Sequence, residues 1–293
     1  MYQVWDVLRK VSQGNKDTCI WREERMSSPI GRYKKIYLAR PVNVQEGGVV
    51  TAISCFLLEK KKVDAVVAVR RSKGLEGKVV IATTPEDVVK ASGSRWSLIP
   101  YMKTLRDTLT EGNIGRAAVI GLPCQMSFLR QMKEFPLLEA DFGEKIELLI
   151  GLFCIGTFAQ EIFKSYITSR YGIKTADVEQ ITISGDNLVV KDASAKVLAE
   201  IPISEALKYL QTGCLLCSDY TSVSADISAG MMPEQPDATI IITRTDKGED
   251  VMREAIDSGV ISVDPAPAGV VEYVEKQALE KIRRAEKYMS QLL

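Results

Sequence analysis

The sequence predicts an α/β protein: a mixed sheet flanked by helices, with a small antiparallel β meander and a long C-terminal helix. Three observations carry that prediction. From Gln45 onward, short β-rich apolar runs alternate with stretches of helical spacing, the pattern of strand–helix–strand units. Between Val178 and Ile203 the pattern changes to short alternating runs with a turn at Gly185 and Asp186, as in paired antiparallel strands. From about Gly269 to the end the chain is charged and continuous, with many i,i+4 pairs.

Residues 1–30 are polar and mixed and read as an N-terminal extension, with "MSSPIGRY" as a linker into the remaining domain, residues 31–293. "KKIYLAR" is a predicted strand, "GGVVTAISCFLLEKK" a helix and "VDAVVAVR" a strand. "TPEDVVKAS" is a capped helix with Pro85 in its first turn, and "LIPYMKTLRDTLTEG" a second helix stopped at Gly112. Two units then repeat one logic: an apolar strand runs into a turn carrying a cysteine, and a helix follows. The first is "RAAVIGLPC" with "QMSFLRQM"; the second is "KIELLIGLFC" with "FAQEIFKSYITSRYG". After the meander comes "CLLCSDYTSVSADISAG", whose polar part after the second cysteine reads as a wall beside it, then the strand "DATIIITRT" and a helix beginning near Lys247.

Composition narrows the function. With 38 Lys plus Arg against 38 Asp plus Glu there is no net field to hold a polyanion, so nucleic-acid binding is not expected. The N-terminus has no uninterrupted apolar region of signal-peptide type, and no run reaches bilayer length; the expected location is cytoplasmic. There is no histidine, which removes the usual general base, Ser/His and Cys/His nucleophile pairs and His-ligated metals. Six cysteines in a reducing compartment are small buried hydrophobes or carriers of metal or redox chemistry, rather than structural disulfides.

Four of the six stand where a ligand would bind: Cys124 in "GLPCQ", Cys154 in "GLFC", and Cys214 and Cys217 in "CLLC". Turns at the C-terminal ends of neighbouring strands converge in space, so thiols from three chain segments have a way to meet. Four thiolates suit a cubane iron-sulfur cluster or a structural zinc equally, and the C-x-x-C step alone also suits a local dithiol. Zinc usually recruits two local pairs, whereas here one pair joins two isolated cysteines far upstream. Cys55 falls inside a helical pattern and reads as core; Cys19 has no partner in the pattern and no role. In "QEGGVVTA", two glycines precede a helix, where free N–H groups and a close backbone approach favour a phosphate, although glycine pairs also serve plain turns. "KASGSRWS" adds hydroxyls and an arginine beside an aromatic ring.

Taken together, "QEGGVVTA", "ASGSRW", "GLPCQ", "GLFC" and "CLLCSDYTSVSADISAG", in this order, resemble the beta subunits of coenzyme F420-reducing hydrogenase and of F420-dependent formate dehydrogenases. The resemblance runs from about Ile30 to the C-terminal helix. It implies an α/β flavoprotein that holds FAD and a 4Fe-4S cluster and exchanges electrons between coenzyme F420 and the iron-sulfur or catalytic subunits of a hydrogenase, formate dehydrogenase or similar complex. The family's cluster ligands fall on Cys124, Cys154, Cys214 and Cys217. Its flavin segment falls on Gly47, Gly48, Val49 and Thr51, with Ser94 and Arg95 as further flavin-site wall. Lys276 and Lys281 match basic positions, one of them expected to reach the flavin or the anionic F420 tail. Two other readings stay open: a flavin and iron-sulfur reductase fed by ferredoxin, and an assembly protein stabilised by zinc on four cysteines, without redox turnover.

Overall fold

A computed structural model describes residues 28–42, 47–72, 75–93, 96, 99–112, 114–134, 140–232 and 234–292. In chain order it contains β1 (Lys35–Pro41), α1 (Val49–Glu59), β2 (Ala65–Arg71), β3 (Gly77–Ala82), α2 (Pro85–Lys90), α3 (Tyr101–Glu111), β4 (Ala117–Gly121), α4 (Pro123–Glu134), α5 (Ala140–Glu144) and β5 (Ile146–Leu152). There follow α6 (Gln160–Tyr171), β6 (Gln180–Ser184), β7 (Asn187–Lys191), β8 (Val197–Pro202), and the short helices α7 (Ile203–Ala206) and α8 (Thr212–Leu215). The chain ends with β9 (Ile227–Met232), β10 (Gln235–Thr243), α9 (Asp246–Asp257), β11 (Ile261–Pro265) and α10 (Ala268–Leu292).

Eight strands form one mixed sheet in the order β11-β1-β10-β9-β5-β4-β2-β3, and β6-β7-β8 form the separate antiparallel meander. The predicted fold class is therefore observed. Alternation along the central strands builds a three-layer core, because successive side chains leave opposite faces. Ala39, Val66, Ala118, Leu148 and Ile241 pack against α1 and α9 on one face. Their sequence neighbours go to the other face: Val67, Val119 and Leu149 meet α3, α4 and α5, while Leu38, Ile240 and Ile242 meet α10. The meander buries Leu188, Val190 and Ile201 against Phe163 and Ile167 of α6, a second core beside the sheet.

Local signals explain the helix starts. Thr84 caps α2 by accepting from Asp87 N, with Pro85 opening the helix. Thr245 does the same for α9 through Gly248 N. The four residues Val270, Val274, Ala278 and Ala285 make the buried stripe of α10, and Lys281 occupies the same stripe at 4% exposure. No described helix is long and apolar enough to cross a membrane, since α10, though long, is charged throughout.

Three strands were not expected from the sequence. β3 and β11 are short edge strands. β9 is a central strand lying within and just after the stretch that reads as a polar wall. Its composition, "ISAGMM", has a single branched residue, Ile227, too few to advertise a strand. The small residues are required by packing: a Cβ on Gly230 would lie 1.8 Å from the ring of Phe153. That ring, pressed on β9, fixes the residue immediately before Cys154.

Candidate functional site

Parallel pairing of β2 with β4, β4 with β5 and β5 with β9 points these strands the same way. β1 shares the direction, because β1 and β9 both pair antiparallel with β10. Their carboxyl ends therefore line one edge of the sheet, where open α/β sheets bind ligands. Cys124 after β4, Cys154 after β5, and Gly47 and Gly48 after β1 all stand at this edge.

Cys124 sits in the first turn of α4 rather than in the turn before it, where the sequence suggested. Pro123 opens that helix, and the Gln125 side chain reaches back to accept from Leu122 N at 2.8 Å, the reciprocal half of a capping box. The cysteine is thereby presented on a helix N-terminus, exposed at the rim of the edge. Beside it opens a groove of about 350 Å³, lined by Ile99, Tyr101, Met102, Lys103, Gln125 and Phe128.

Cys154 lies deeper. Its N–H donates to Tyr220 O at 2.9 Å, and Phe153 N donates to Ala229 O at 2.8 Å, so the loop after β5 is tied to the segment that follows "CLLC". The rings of Phe153 and Tyr220 meet at 5.2 Å. Cys214, in α8, has its Sγ 3.4 Å from both the N–H and the Oγ1 of buried Thr157. The Asp219 carboxylate accepts from Ser222 N at 2.8 Å and from Val223 N at 3.1 Å, folding the chain back after Cys217. Arg244, at the end of β10, completes the brace by donating to Thr221 O, Thr221 Oγ1, Ser228 Oγ, Ile30 O and Arg32 O.

The four thiols act on one another. Burial pushes the Cys154 thiol up to about 11; the charges of Cys214, Cys217 and Cys124 push the same way and the nearby Lys281 opposes them. The Cys124 thiol is raised by burial and then by Cys217 and Cys214. Among the described residues, no group of three or more His, Cys, Asp or Glu side chains is placed to hold a metal ion.

Two cations from α10 enter this region. The Lys281 ammonium donates to Cys154 O at 2.6 Å and to Asp219 O at 2.7 Å. Arg284 Nη2 donates to Ile155 O at 2.6 Å and to Cys214 O at 3.3 Å. Each cation bridges one carbonyl of the Cys154 loop to one carbonyl of the segment from Cys214 to Asp219. Lys276 is exposed on the same helix, away from this stripe. Arg284 was not anticipated from sequence; the signal available was Lys281, a charge on an otherwise apolar stripe, with a second cation three residues on.

At the other position on the edge, Gly47 has φ of +96° and Gly48 caps α1 without a side chain. A Cβ on Gly47 would strike Thr51 Oγ1 at 2.6 Å, so the backbone here needs glycine for both its dihedral and its space. The first turn of α1 carries no acidic residue, which leaves its N–H groups and dipole open to an anion. Val49 is fully buried and Thr51 nearly so. Val49 thus offers a ligand its backbone alone. Ser94, Arg95 and Cys19 lie outside the described residues. Trp96 donates from Nε1 to Ile181 O at 2.9 Å and stacks on Phe158, so its own ring is held against the meander.

Comparison with known proteins agrees with this geometry. The family of the coenzyme F420 hydrogenase/dehydrogenase beta subunit matches in two parts, its N-terminal part on residues 39–106 and its C-terminal part on residues 114–268. The coenzyme F420 hydrogenase subunit beta of Methanococcus voltae is 29% identical over 90% of this chain and 96% of its own length. The coenzyme F420-dependent sulfite reductase of Methanocaldococcus jannaschii is 32% identical over 75% of this chain, a match covering 36% of that larger protein. A chain of the F420-reducing [NiFe] hydrogenase complex from Methanosarcina barkeri superposes with a TM-score of 0.82 at 26% identity, covering 90% of this chain and 93% of the other. The chain belongs to the coenzyme F420 hydrogenase/dehydrogenase beta-subunit family.

Proposed function

We propose that this chain is the F420-reacting, electron-transfer subunit of a cytoplasmic oxidoreductase complex, with residues 31–293 acting as one flavin and iron-sulfur unit. The observation that carries the reading is the gathering of Cys124, Cys154, Cys214 and Cys217, from three chain segments, at the carboxyl edge of the sheet. The donor set is entirely thiol, the chemistry of a 4Fe-4S cluster. A cubane spreads its four thiolates over four irons. It does not need three ligands at the roughly 3.8 Å spacing that a tetrahedral zinc with 2.3 Å bonds imposes. Among the described residues no ligand group is closed on one ion, so the cluster reading rests on the thiols and their place in the fold.

FAD fits the glycine turn of α1. Gly47 and Gly48 let the backbone approach a pyrophosphate, the N–H groups of Val49 and its neighbours face it, and Thr51 supplies a hydroxyl. The resemblance assigns Ser94 and Arg95 to the flavin-site wall, and Lys276 or Lys281 to the flavin or the anionic F420 tail. When bound, FAD would supply the conversion between a hydride carried by F420 and single electrons for the cluster, a chemistry that needs no histidine. The protein's part is to bind and orient. The capped start of α4 presents Cys124, Thr157 holds the Cys214 sulfur, and Phe153 packed on Gly230 fixes the Cys154 loop. Lys281 and Arg284 tie the two deeper cysteine segments together. The relatives named as hydrogenase subunits support a place beside a partner's iron-sulfur or catalytic subunit.

The test is an anaerobic absorption spectrum with iron and labile-sulfide counts, taken before and after adding reduced F420. The expected result is equal iron and sulfide, with bleaching of both the flavin band and the iron-sulfur shoulder. Zinc without sulfide would overturn the cluster. A loaded protein that bleaches with reduced ferredoxin and not with F420 would replace the donor.

A further inference from the structure

We propose that Arg284 is a positioning residue for the bound cluster, donating its Nε–H to a cluster or cysteine sulfur and raising the cluster's reduction potential. The inference rests on the cluster reading above. Two observations support it. First, Arg284 Nη2 is committed to Ile155 O and Cys214 O, each next to or at a proposed ligand. This fixes the guanidinium plane between the two cysteine segments. Second, Arg284 Nε is buried and has no acceptor among the described residues. A buried donor left unpaired is destabilising, so the fold keeps a donor that a guest is positioned to satisfy.

The guanidinium has no carboxylate partner among the described residues; its fixed contacts are carbonyls. Its positive charge is therefore not cancelled locally. Adding an electron to a cluster adds a negative charge, so a fixed cation beside it, and a hydrogen bond to its sulfur, both favour the reduced state. Lys281, one helical turn earlier, adds a second cation on the same side.

The test is an EPR-monitored redox titration of anaerobically prepared wild type, Arg284→Gln and Arg284→Lys, each with iron and sulfide counts and a far-ultraviolet circular dichroism spectrum. Arg284→Gln is expected to keep the cluster and make its one-electron reduction about tenfold less favourable, about 59 mV lower. Arg284→Lys, which keeps charge without the planar fork, is expected to lie between. Full loading with an unchanged potential in Arg284→Gln would overturn the proposal. So would loss of the cluster from both variants in a folded protein, which would make the residue a structural staple alone. Absence of iron and sulfide from the wild type would instead overturn the cluster reading.

Discussion

The two ends of the large sheet use cations in opposite ways. At the amino end, a depression of about 400 Å³ is lined by Lys62, Arg116, Glu147, Lys247, Asp250 and Glu254. There each cation faces a carboxylate: Lys62 meets Glu254 at 2.7 Å, Lys247 meets Glu147 at 2.7 Å, and Arg116 meets Asp64 at 3.7 Å. These partners are partly exposed, so solvent competes and the charges cancel. At the carboxyl end, Lys281 and Arg284 grip carbonyls and lie among thiols. A carbonyl satisfies a donor but leaves the positive charge in place. The three pairs of this depression are neutral and do structural work, although Lys133 and Lys145 near it also hold carbonyls, of Ile146 and Leu109; the cysteine edge retains charge suited to an anionic, sulfur-rich guest. Similar residue types have been given different tasks by their acceptors.

The strongest way to break this comparison is at the thiols. Cys124→Ala is expected to lose the cluster as fully as Cys217→Ala, although Cys124 is exposed at the rim and Cys217 belongs to the local C-x-x-C step. Iron and labile-sulfide counts on anaerobically prepared variants check this. Retention of a full cluster in Cys124→Ala would remove α4 from the site and confine the chemistry to the deeper segments. The next largest effect concerns Lys281. Replacing it by Met leaves the carbonyls of Cys154 and Asp219 without their donor in a buried setting, a loss of about 2–4 kcal/mol. Urea unfolding of the cofactor-free protein measures it. An unchanged midpoint would mean that the cation is held by the loops rather than holding them.

Much of this arrangement was legible in the sequence, for identifiable reasons. β1, β2, β4, β5 and β10 announce themselves because both faces of a central strand are covered, giving dense branched runs such as "AAVIG" and "IELLIG". The place of Cys124 and Cys154 at the carboxyl edge was legible because each follows such a strand. β9 was not, because its sequence answers to Phe153 lying on Gly230 rather than to strand propensity. Cys124 belongs to the helix rather than to the turn because the cap comes from Gln125, three residues past the Leu122 N–H it accepts from, and a side-chain acceptor of that kind resembles an ordinary polar surface residue. Arg284 was harder to read for a different reason: its partners, Ile155 and Cys214, lie far away in the chain, and the local signal is no more than its place three residues after Lys281. Lys281 carried a signal that periodicity exposes, since Val270, Val274, Ala278 and Ala285 define a buried stripe that includes it.

The smallest effect is expected at the amino end, and it sharpens the comparison from the other side. Lys62→Ala removes a pair whose partners are 33% and 44% exposed, so the expected loss is under about 1 kcal/mol. Because such a pair acts through solvent, the difference between variant and wild type is expected to shrink further as salt is raised from about 0.1 M to 1 M, where the screening length falls from about 10 Å to 3 Å. The Lys281→Met difference, made by short hydrogen bonds in a buried setting, is expected to persist over the same range. Paired urea titrations at the two salt concentrations measure both. If the two variants respond to salt alike, the ends of the sheet are not electrostatically distinct, and the charge retained at the cysteine edge is being screened as readily as that of any surface lysine.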